Sequence, residues 1–183
     1  MALFRGINVG GNNMLPMKDL AALLAALGLE EVRTYIQSGN VVFTAAGTAT
    51  SLAGRIGAAV ERGCGFRPQL LLLRAPELAR ALAANPFPEA AAQPQLLHLW
   101  FLAARPGKGA EAALQALASA GERFVLRGKV LYLHAPQGIG RSKLAARAER
   151  ALGVGATARN WRTCTTLLSM TRPEEARGAV PRG

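Results

Sequence analysis

A nine-residue pattern occurs twice in this chain and limits the possible folds more than any other feature. Residues 35–43 read Tyr-Ile-Gln-Ser-Gly-Asn-Val-Val-Phe, and residues 124–132 read Phe-Val-Leu-Arg-Gly-Lys-Val-Leu-Tyr. The aromatic, β-branched and aliphatic positions and the central glycine recur at one offset of 89 residues. Such runs on either side of a glycine are typical of a β-hairpin. The pattern therefore predicts two related halves, each with a hairpin of the same kind.

The first half is predicted to follow the order β-α-β-β-α-β. Its strands are predicted over residues 3–9, 32–37, 40–44 and 69–74. A helix with leucines at helical spacing comes before the hairpin, and a second helix, which Ser51 can cap, comes after it. This order is the ferredoxin-like, or split βαβ, pattern.

The second half repeats this order except at its end. Its strands are predicted over 96–103, 123–127 and 129–134, and its helices over 109–120 and 140–152. Where a last strand would complete the pattern, residues 158–170 are interpreted instead as a turn that enters a terminal helix. The expected fold class is therefore α+β, with two ferredoxin-like subdomains related by internal duplication and a C-terminal helix.

The domain boundaries are expected to follow from this order. A proline-rich segment and a run of small residues separate the two halves. The predicted segments are a first subdomain over 1–75, a connecting helix and linker over 76–95, a second subdomain with the terminal helix over 96–171, and a flexible tail over 172–183.

The charge of the chain favours an anionic partner. The formal net charge is +11, and residues 121–183 hold 12 of the 22 basic residues but 4 of the 11 acidic ones. A surplus of this kind suits a phosphate, a nucleotide, a nucleic acid or an acidic lipid. Because 18 of the basic residues are arginine, a general compositional bias toward arginine is an equally valid interpretation.

The composition also limits where the protein is expected to work. No apolar run approaches the roughly 18–20 residues of a membrane-spanning helix, and the first residues have neither the charged lead nor the cleavage site of a signal peptide. Cys64 and Cys164 lie far apart, without metal-ligand spacing or disulfide density. A reduced, cytoplasmic protein with no membrane partner is therefore expected.

A loop rich in glycine and asparagine follows the first strand and makes the first candidate site. Backbone N–H groups in such a loop can point together at an anion, and an arginine adds a forked donor. The predicted ligand-binding residues of this loop are Arg5, Gly6, Asn8, Gly10 and Gly11. The spacing fits neither the dinucleotide-binding nor the P-loop pattern, and a plain turn that needs positive φ is an equal alternative.

The tip of the first hairpin is the second candidate site. A tight turn needs only glycine or asparagine, yet this one carries Gln37, Ser38 and Asn40 around its glycine. The second copy makes the same turn with Arg127 and Lys129, so the geometry of the turn does not require amides. These side chains are predicted either to bind a ligand or to tie the turn to the neighbouring Gly-rich loop.

The third candidate site lies at the start of a helix in the second half. Arg141, Ser142 and Lys143 follow a Gly-rich loop and fall in the first helical turn. Cations there oppose the helix dipole, and a bound anion would offset the cost. The alternative is a solvated, mildly strained helix start.

The fourth candidate site comes shortly before the terminal helix. Arg159, Asn160 and Trp161 place one aromatic ring among arginines. This combination can stack a base or bind phosphate. The alternative is a tryptophan that anchors the hydrophobic core.

Several classes of enzyme are disfavoured by what the chain lacks. Asp19 is the single aspartate and the acidic residues are scattered, so a Ser-His-Asp triad, a carboxylate pair or a metal site is hard to assemble. His98 lies in an apolar strand and is interpreted as structural. His134 ends a strand beside the third candidate site and is the one histidine near plausible chemistry. No metal and no cofactor are predicted.

Three stretches of the chain are similar to a known family. They read Leu-Phe-Arg-Gly-Ile-Asn-Val-Gly-Gly from residue 3, Arg-Thr-Tyr-Ile-Gln-Ser-Gly-Asn-Val-Val-Phe from residue 33 and Thr-Ala-Arg-Asn-Trp-Arg-Thr from residue 157. Together with Met17 they resemble the bacterial family called domain of unknown function 1697, over nearly the whole chain to about residue 171. The resemblance implies an α+β fold with duplicated ferredoxin-like subdomains, and it implies no activity.

The chain departs from the pattern of that family at two places. Met14-Leu15 stands where a basic residue often follows the Asn-rich turn. Cys164-Thr165-Thr166 stands where an aliphatic residue and then a lysine are more usual. Both departures weaken any chemical role for a lysine at these places.

Three functions are consistent with these residues. The first is binding of a phosphate-bearing ligand, either a nucleotide or a nucleic-acid backbone, through the Gly, Asn and Arg loops. The second is an enzyme that acts on a small anionic metabolite, with orienting groups and a base from Arg5, Gln37, Asn40, Arg159 and His134. The third is a structural or interaction protein whose polar motifs lock the two halves together.

Overall fold

The computed structural model of the protein describes residues 1–8, 11 and 13–172. Over these residues the chain is mixed α+β, with two four-stranded antiparallel sheets. Two compact units contain one sheet each. The first unit is Met1–Leu78 together with the segment that begins at Leu167, and the second is Ala79–Thr166. The boundaries predicted from the sequence remain predictions.

The first unit follows the predicted order. Its elements are β1 (Ala2–Arg5), α1 (Met17–Ala26), β2 (Glu30–Tyr35), β3 (Asn40–Thr44), α2 (Ala49–Cys64) and β4 (Gln69–Leu72). The strand order in the sheet is β2-β3-β1-β4, with every pair antiparallel. Leu20 and Leu24 of α1 and Ile56 and Val60 of α2 are fully buried in one core with β1. Each such side chain stabilises the unit by about 1.5–3 kcal/mol.

The second unit has the same topology. Its elements are β5 (Leu97–Leu102), α4 (Ala110–Gln115), β6 (Arg123–Arg127), β7 (Val130–His134), α5 (Lys143–Leu152) and β8 (Ala156–Asn160). The strand order is β6-β7-β5-β8, again antiparallel throughout. The shared order confirms the prediction of two βαββαβ halves.

Two helices cross the boundary between the units along the chain. They are α3 (Ala75–Ala83) and the C-terminal helix α6 (Trp161–Met170). Within the second unit, the hydroxyl of Tyr132 donates to the carbonyl oxygen of Ala81 at 2.7 Å, which fastens the end of α3 to β7. A short 3-10 helix over Pro88–Ala92 occupies the predicted linker.

One predicted element was wrong. Residues 156–160 form the strand β8, whereas the sequence was interpreted as a turn from residue 158 onward. In β8, Ala156 and Ala158 pack against the core that also contains Leu114 of α4 and Leu144 of α5. The edge of β5 also needs a partner, because buried backbone N–H and C=O groups must be paired. The strand runs antiparallel to β5, with Asn160 opposite His98.

Several element ends also differ from the prediction. The first strand stops at Arg5 because Gly6 and Asn8 have φ values of 66° and 55°, which a strand does not accommodate. In the second unit, α5 begins at Lys143 and not at residue 140, because a 3-10 turn over Ile139–Arg141 comes first. The helix α4 is likewise shorter than the predicted span of 109–120.

Candidate functional site

Asn8 connects the loop after β1 to the tip of the β2–β3 hairpin. Its Nδ2 donates to the carbonyl oxygens of Leu15 at 2.8 Å and Gln37 at 2.9 Å. Its Oδ1 accepts from the backbone N–H of Leu15 at 2.7 Å. Both N–H donors of the amide are therefore used within the first unit. Two of the predicted candidate sites thus lie side by side, held together by one side chain.

Asn40 is the buried amide of the hairpin tip. Its side chain is fully buried, and Nδ2 donates to the carbonyl oxygen of Tyr35 at 3.1 Å and to Oγ of Ser38 at 3.0 Å. Buried amides need partners of this kind. Ser38 itself is exposed, as is Gln37, whose side chain has no hydrogen-bond partner in the described part of the chain.

The glycine at the centre of this turn is required by space as well as by conformation. Gly39 has φ 75°, and its carbonyl oxygen accepts from the N–H of Phe4 at 2.8 Å. A Cβ added there would lie 2.6 Å from Cβ of Phe4 and 2.7 Å from Cδ1 of Ile7. The equivalent Gly128 has φ 60° but nothing within 4 Å of such a Cβ. The first copy of the hairpin is thus pressed against its central strand.

The remaining residues of the first loop are more open. Arg5 is exposed, and its Nη1 donates to Oε1 of Gln69 at 2.9 Å, across the β1–β4 pair. Gly6 and Gly11 have positive φ values of 66° and 77°, as the turn alternative requires. Gly10 lies outside the described residues.

The basic residues at the hairpin tip of the second unit donate hydrogen bonds to backbone carbonyl oxygens of the same unit. Nη1 of Arg127 donates to the carbonyl oxygen of Ala84 at 2.7 Å, and Nζ of Lys129 donates to that of Ala103 at 3.3 Å. Lys129 therefore ties the turn to the loop after β5. This contact corresponds to the one that Asn8 makes in the first unit.

The third candidate site combines a capped helix start with exposed cations. Ser142 is buried, and its Oγ accepts from the N–H of Ala145 at 2.9 Å as the N-cap of α5. Arg141 and Lys143 on either side are exposed. The serine therefore has a structural role, while the two flanking cations face solvent.

The same helix carries two further exposed cations, Arg147 and Arg150, that were not predicted as site residues. Lys143, Arg147 and Arg150 are all exposed, at positions i, i+4 and i+7 of α5. This spacing places them on one face of the helix. With Arg141 they form what we call the α5 basic row. The i, i+4, i+7 spacing of these cations is present in the sequence, but Arg147 and Arg150 lie outside the Gly-rich motif from which the third candidate site was predicted.

None of the four side chains of the α5 basic row has a hydrogen-bond or ion-pair partner in the described part of the chain. The equivalent helix of the first unit differs. α2 is capped by Thr48 and begins with uncharged residues, and its Arg55 donates to the carbonyl oxygen of Leu27 at 2.7 Å. The row is therefore a feature of one copy of the fold and not of the topology.

The fourth candidate site is partly buried. Nη1 of Arg159 donates to Oγ1 of Thr157 at 3.0 Å and to the carbonyl oxygen of Ala158 at 2.8 Å. Burial lowers the pKa of Arg159 to about 10, so it stays charged at neutral pH. Oδ1 of Asn160 accepts from the N–H of Thr163 at 2.8 Å at the start of α6, and Trp161 is half-buried.

The third and fourth candidate sites lie at the same end of the second sheet. In β5, Leu97 is opposite His134 at the end of β7, and His98 is opposite Asn160 at the end of β8. The loop into α5 leaves from this end. Beyond α5 the chain reaches the other end of the sheet, where Gly155 accepts from the N–H of Ala103 at 2.9 Å.

The two histidines of the second unit have different surroundings. His98 is buried in β5, and burial lowers its pKa to about 4. Nδ1 of His134 lies 3.4 Å from the guanidinium of Arg123, which also forms an ion pair with Glu89. Burial and the positive charge of Arg123 lower the pKa of His134. The structural role of His98 stays a prediction, because its buried Nδ1 has no hydrogen-bond partner among the described residues. The ring of His134 lies 6.4 Å from the ring of Phe87, in the segment that precedes the 3-10 helix.

The described residues offer neither a metal-binding cluster nor a membrane-spanning helix. No group of three or more His, Cys, Asp and Glu side chains that could hold a metal ion lies among them. Nor does any helix there combine the length and apolar character needed to cross a membrane.

Comparisons with known proteins give a family and a fold. The family model described as a protein of unknown function (DUF1697) matches residues 1–132. No curated protein matches the chain. A solved structure of a conserved bacterial protein from Streptococcus pneumoniae is similar, with a TM-score of 0.70 and 21% sequence identity. The match covers 93% of this chain and 97% of that one, and at this identity it shows a shared fold.

Proposed function

This chain belongs to the DUF1697 family of proteins of unknown function, and we propose that it binds a phosphate-bearing ligand on the exposed face of α5. The observation that carries the proposal is the α5 basic row. Three exposed cations follow one another along one face of α5, and a fourth, Arg141, stands in the turn just before it. None of the four side chains has a partner among the described residues. Arginine and lysine in such an arrangement are the usual donors to phosphate oxygens.

The row is unfavourable for the isolated protein. Like charges at i and i+4, such as Lys143 and Arg147, destabilise a helix by about 0.2–0.5 kcal/mol per pair. Lys143 also stands in the first turn, where a cation opposes the helix dipole. An anion bound along this face would offset both costs. Because these cations destabilise the helix and make no contact within the described residues that would compensate, their presence supports a role in binding.

For the amide motif of the first unit we propose a structural role. The donors of Asn8 and Asn40 are used within the unit, on backbone carbonyls and Ser38. A side chain engaged in this way has to give up those bonds to contact a ligand. The same engagement of Asn40 reduces the support for an enzyme that uses it to orient a metabolite.

The test is a binding measurement on matched charge variants. The α5 variant is Lys143→Ala, Arg147→Ala and Arg150→Ala together. The control removes three other exposed cations without side-chain partners among the described residues, Lys18, Arg62 and Arg74. Both variants lose the same net charge.

The ligands for this test are inorganic triphosphate, nucleotides and short oligonucleotides at low salt. We expect the α5 variant to lose at least about tenfold in affinity, since each phosphate contact contributes separately, and the control variant to stay close to wild type. Equal losses in the two variants would mean that binding reflects general basicity. No binding by the wild-type protein would refute the proposal.

A further inference from the structure

We infer that the ligand of the α5 basic row is the backbone of a nucleic-acid strand and not a single nucleotide; this inference rests on the function proposed above. The length of the α5 basic row favours a strand. Lys143 and Arg150 are seven positions apart in α5, which is about 10 Å at the helical rise of 1.5 Å per residue. One strand of a duplex carries a phosphate about every 3.4 Å along its axis. About three consecutive phosphates therefore match the three cations, and a compact nucleotide reaches fewer of them.

The arrangement of the cations also favours a polymer. Lys143, Arg147 and Arg150 succeed each other along one face of α5, and Arg141 precedes them in the turn before the helix, so the four cations form a line. Convergent donors on several elements are what a site for a small anion requires. An open row of cations instead follows a polymer backbone, as in grooves that bind nucleic acids without sequence preference.

The exposed face of α5 suits a nucleic acid better than a lipid surface. A helix that docks on a membrane carries large apolar side chains beside its cations. The exposed residues of α5 are Lys143, Ala146, Arg147 and Arg150, none of them large and apolar. The exposed large hydrophobic residues of the described chain, Met14 and Ile36, belong to the first unit.

Sparse acidic charge on this helix favours the same reading. Glu149 is the one acidic residue of α5 and is half-buried, whereas the cations of the row are exposed. A phosphate backbone lying along the row therefore meets a face with one sign of charge. Such a face raises the association rate of a polyanion and makes its affinity fall steeply with salt.

The experiment is a competition series against a labelled single-stranded oligothymidylate of about 16 nucleotides, a length that covers known single-strand site sizes. The competitors are inorganic triphosphate, ATP, shorter oligothymidylates, a DNA duplex and vesicles with anionic phospholipid. The full chain and the α5 variant are compared over a range of salt concentrations.

We expect affinity to rise with oligonucleotide length, with ATP and triphosphate at least about 100-fold weaker than the longest strand. Four phosphate contacts predict a log–log salt slope of about −3, and the α5 variant should lower its magnitude by about 2. The single-strand and duplex arms identify which form of the backbone binds better.

Two results would overturn the inference while leaving the proposed function intact. One is triphosphate or ATP binding as tightly as the longest strand and depending on the α5 basic row. The other is direct binding of triphosphate and of anionic vesicles, measured by titration calorimetry and dependent on the α5 basic row, without binding of any oligonucleotide. Failure of every probe to bind would instead remove the proposed function itself.

Discussion

At the scale of single residues, Asn8 shows how a polar motif can be conformational. The residue has φ 55°, in a region that asparagine tolerates better than most residues. Its amide makes three hydrogen bonds that hold two turns together. We expect Asn8→Ala to lower the free energy of unfolding by about 2–3 kcal/mol, because the partners lose their bonds.

Asn13→Ala is the matched control for this change. Asn13 also has positive φ, 49°, in the same loop, but its side chain makes one exposed bond, to the carbonyl oxygen of Gly6 at 3.0 Å. Urea denaturation of both variants measures the difference. Equal destabilisation, or loss of ligand binding in Asn8→Ala with stability unchanged, would contradict the structural role.

The two hairpin glycines allow a second comparison within one molecule. Gly39→Ala and Gly128→Ala both place a side chain at positive φ, which costs about 1–2 kcal/mol. At Gly39 the new Cβ also meets Phe4 and Ile7 at less than 3.0 Å, whereas at Gly128 it meets open space. We therefore expect the Gly39 variant to be less stable by an additional 1–3 kcal/mol or so. Thermal or urea unfolding of the pair measures this, and similar stabilities would show that the turn does not press on β1.

His98 predicts a pH dependence of stability. Burial lowers its pKa from 6.5 to about 4, so the unfolded chain binds a proton that the folded chain does not bind between these values. The stability present above pH 6.5 is therefore lost as the pH falls toward 4. The full shift corresponds to a loss on the order of 3 kcal/mol.

The measurement is urea unfolding between pH 4 and 7.5, compared for wild type, His98→Gln and His134→Gln. We expect His98→Gln to flatten this part of the curve. His134 is less buried than His98, so its replacement should change the slope less. An unchanged slope in His98→Gln would assign the acid sensitivity to other groups.

At the scale of elements, α5 is where stability and binding are expected to oppose each other. Lys143→Glu places a negative charge in the first turn and opposite to Arg147 at i+4, both favourable. We expect it to raise the free energy of unfolding by about 0.5–1.5 kcal/mol at low salt while weakening oligonucleotide binding. The stability and the oligonucleotide affinity of Lys143→Gln should both lie between those of the wild type and those of Lys143→Glu. Lower stability in both Lys143→Glu and Lys143→Gln would mean that the lysine has a structural partner, and would contradict this expectation.

Elements also show what the sequence could and could not reveal. The strands with β-branched or aromatic alternation, such as β3 and β7, were predicted nearly to the residue. β8 was missed, because its alanines are depleted in strands and so give no strand signal. Its existence is dictated by the sheet, since the edge of β5 needs a partner.

At the scale of the whole molecule, the repeat predicted two similar folds but not the division of roles between them. Two halves with the same hairpin were predicted, but the last strand of the second half, which makes the two strand orders identical, was not. The use of the polar residues was not foreseeable, since hydrogen bonds such as that from Lys129 to Ala103 join segments distant in sequence. For the same reason the sequence did not reveal that the amides of Asn8 and Asn40 are used within the first unit, or that Lys143, Arg147 and Arg150 share one exposed face of α5.

Binding of a nucleic-acid backbone on α5 is tested most directly by a chemical-shift map of the protein with a short oligonucleotide. If the strand binds on α5, the backbone amide signals of 141–150 shift, and those of α2, the equivalent helix of the first unit, change little. The α5 variant with three alanines should lose those shifts and keep its folded spectrum. Shifts centred on the β2–β3 hairpin tip, with α5 unaffected, would contradict the account.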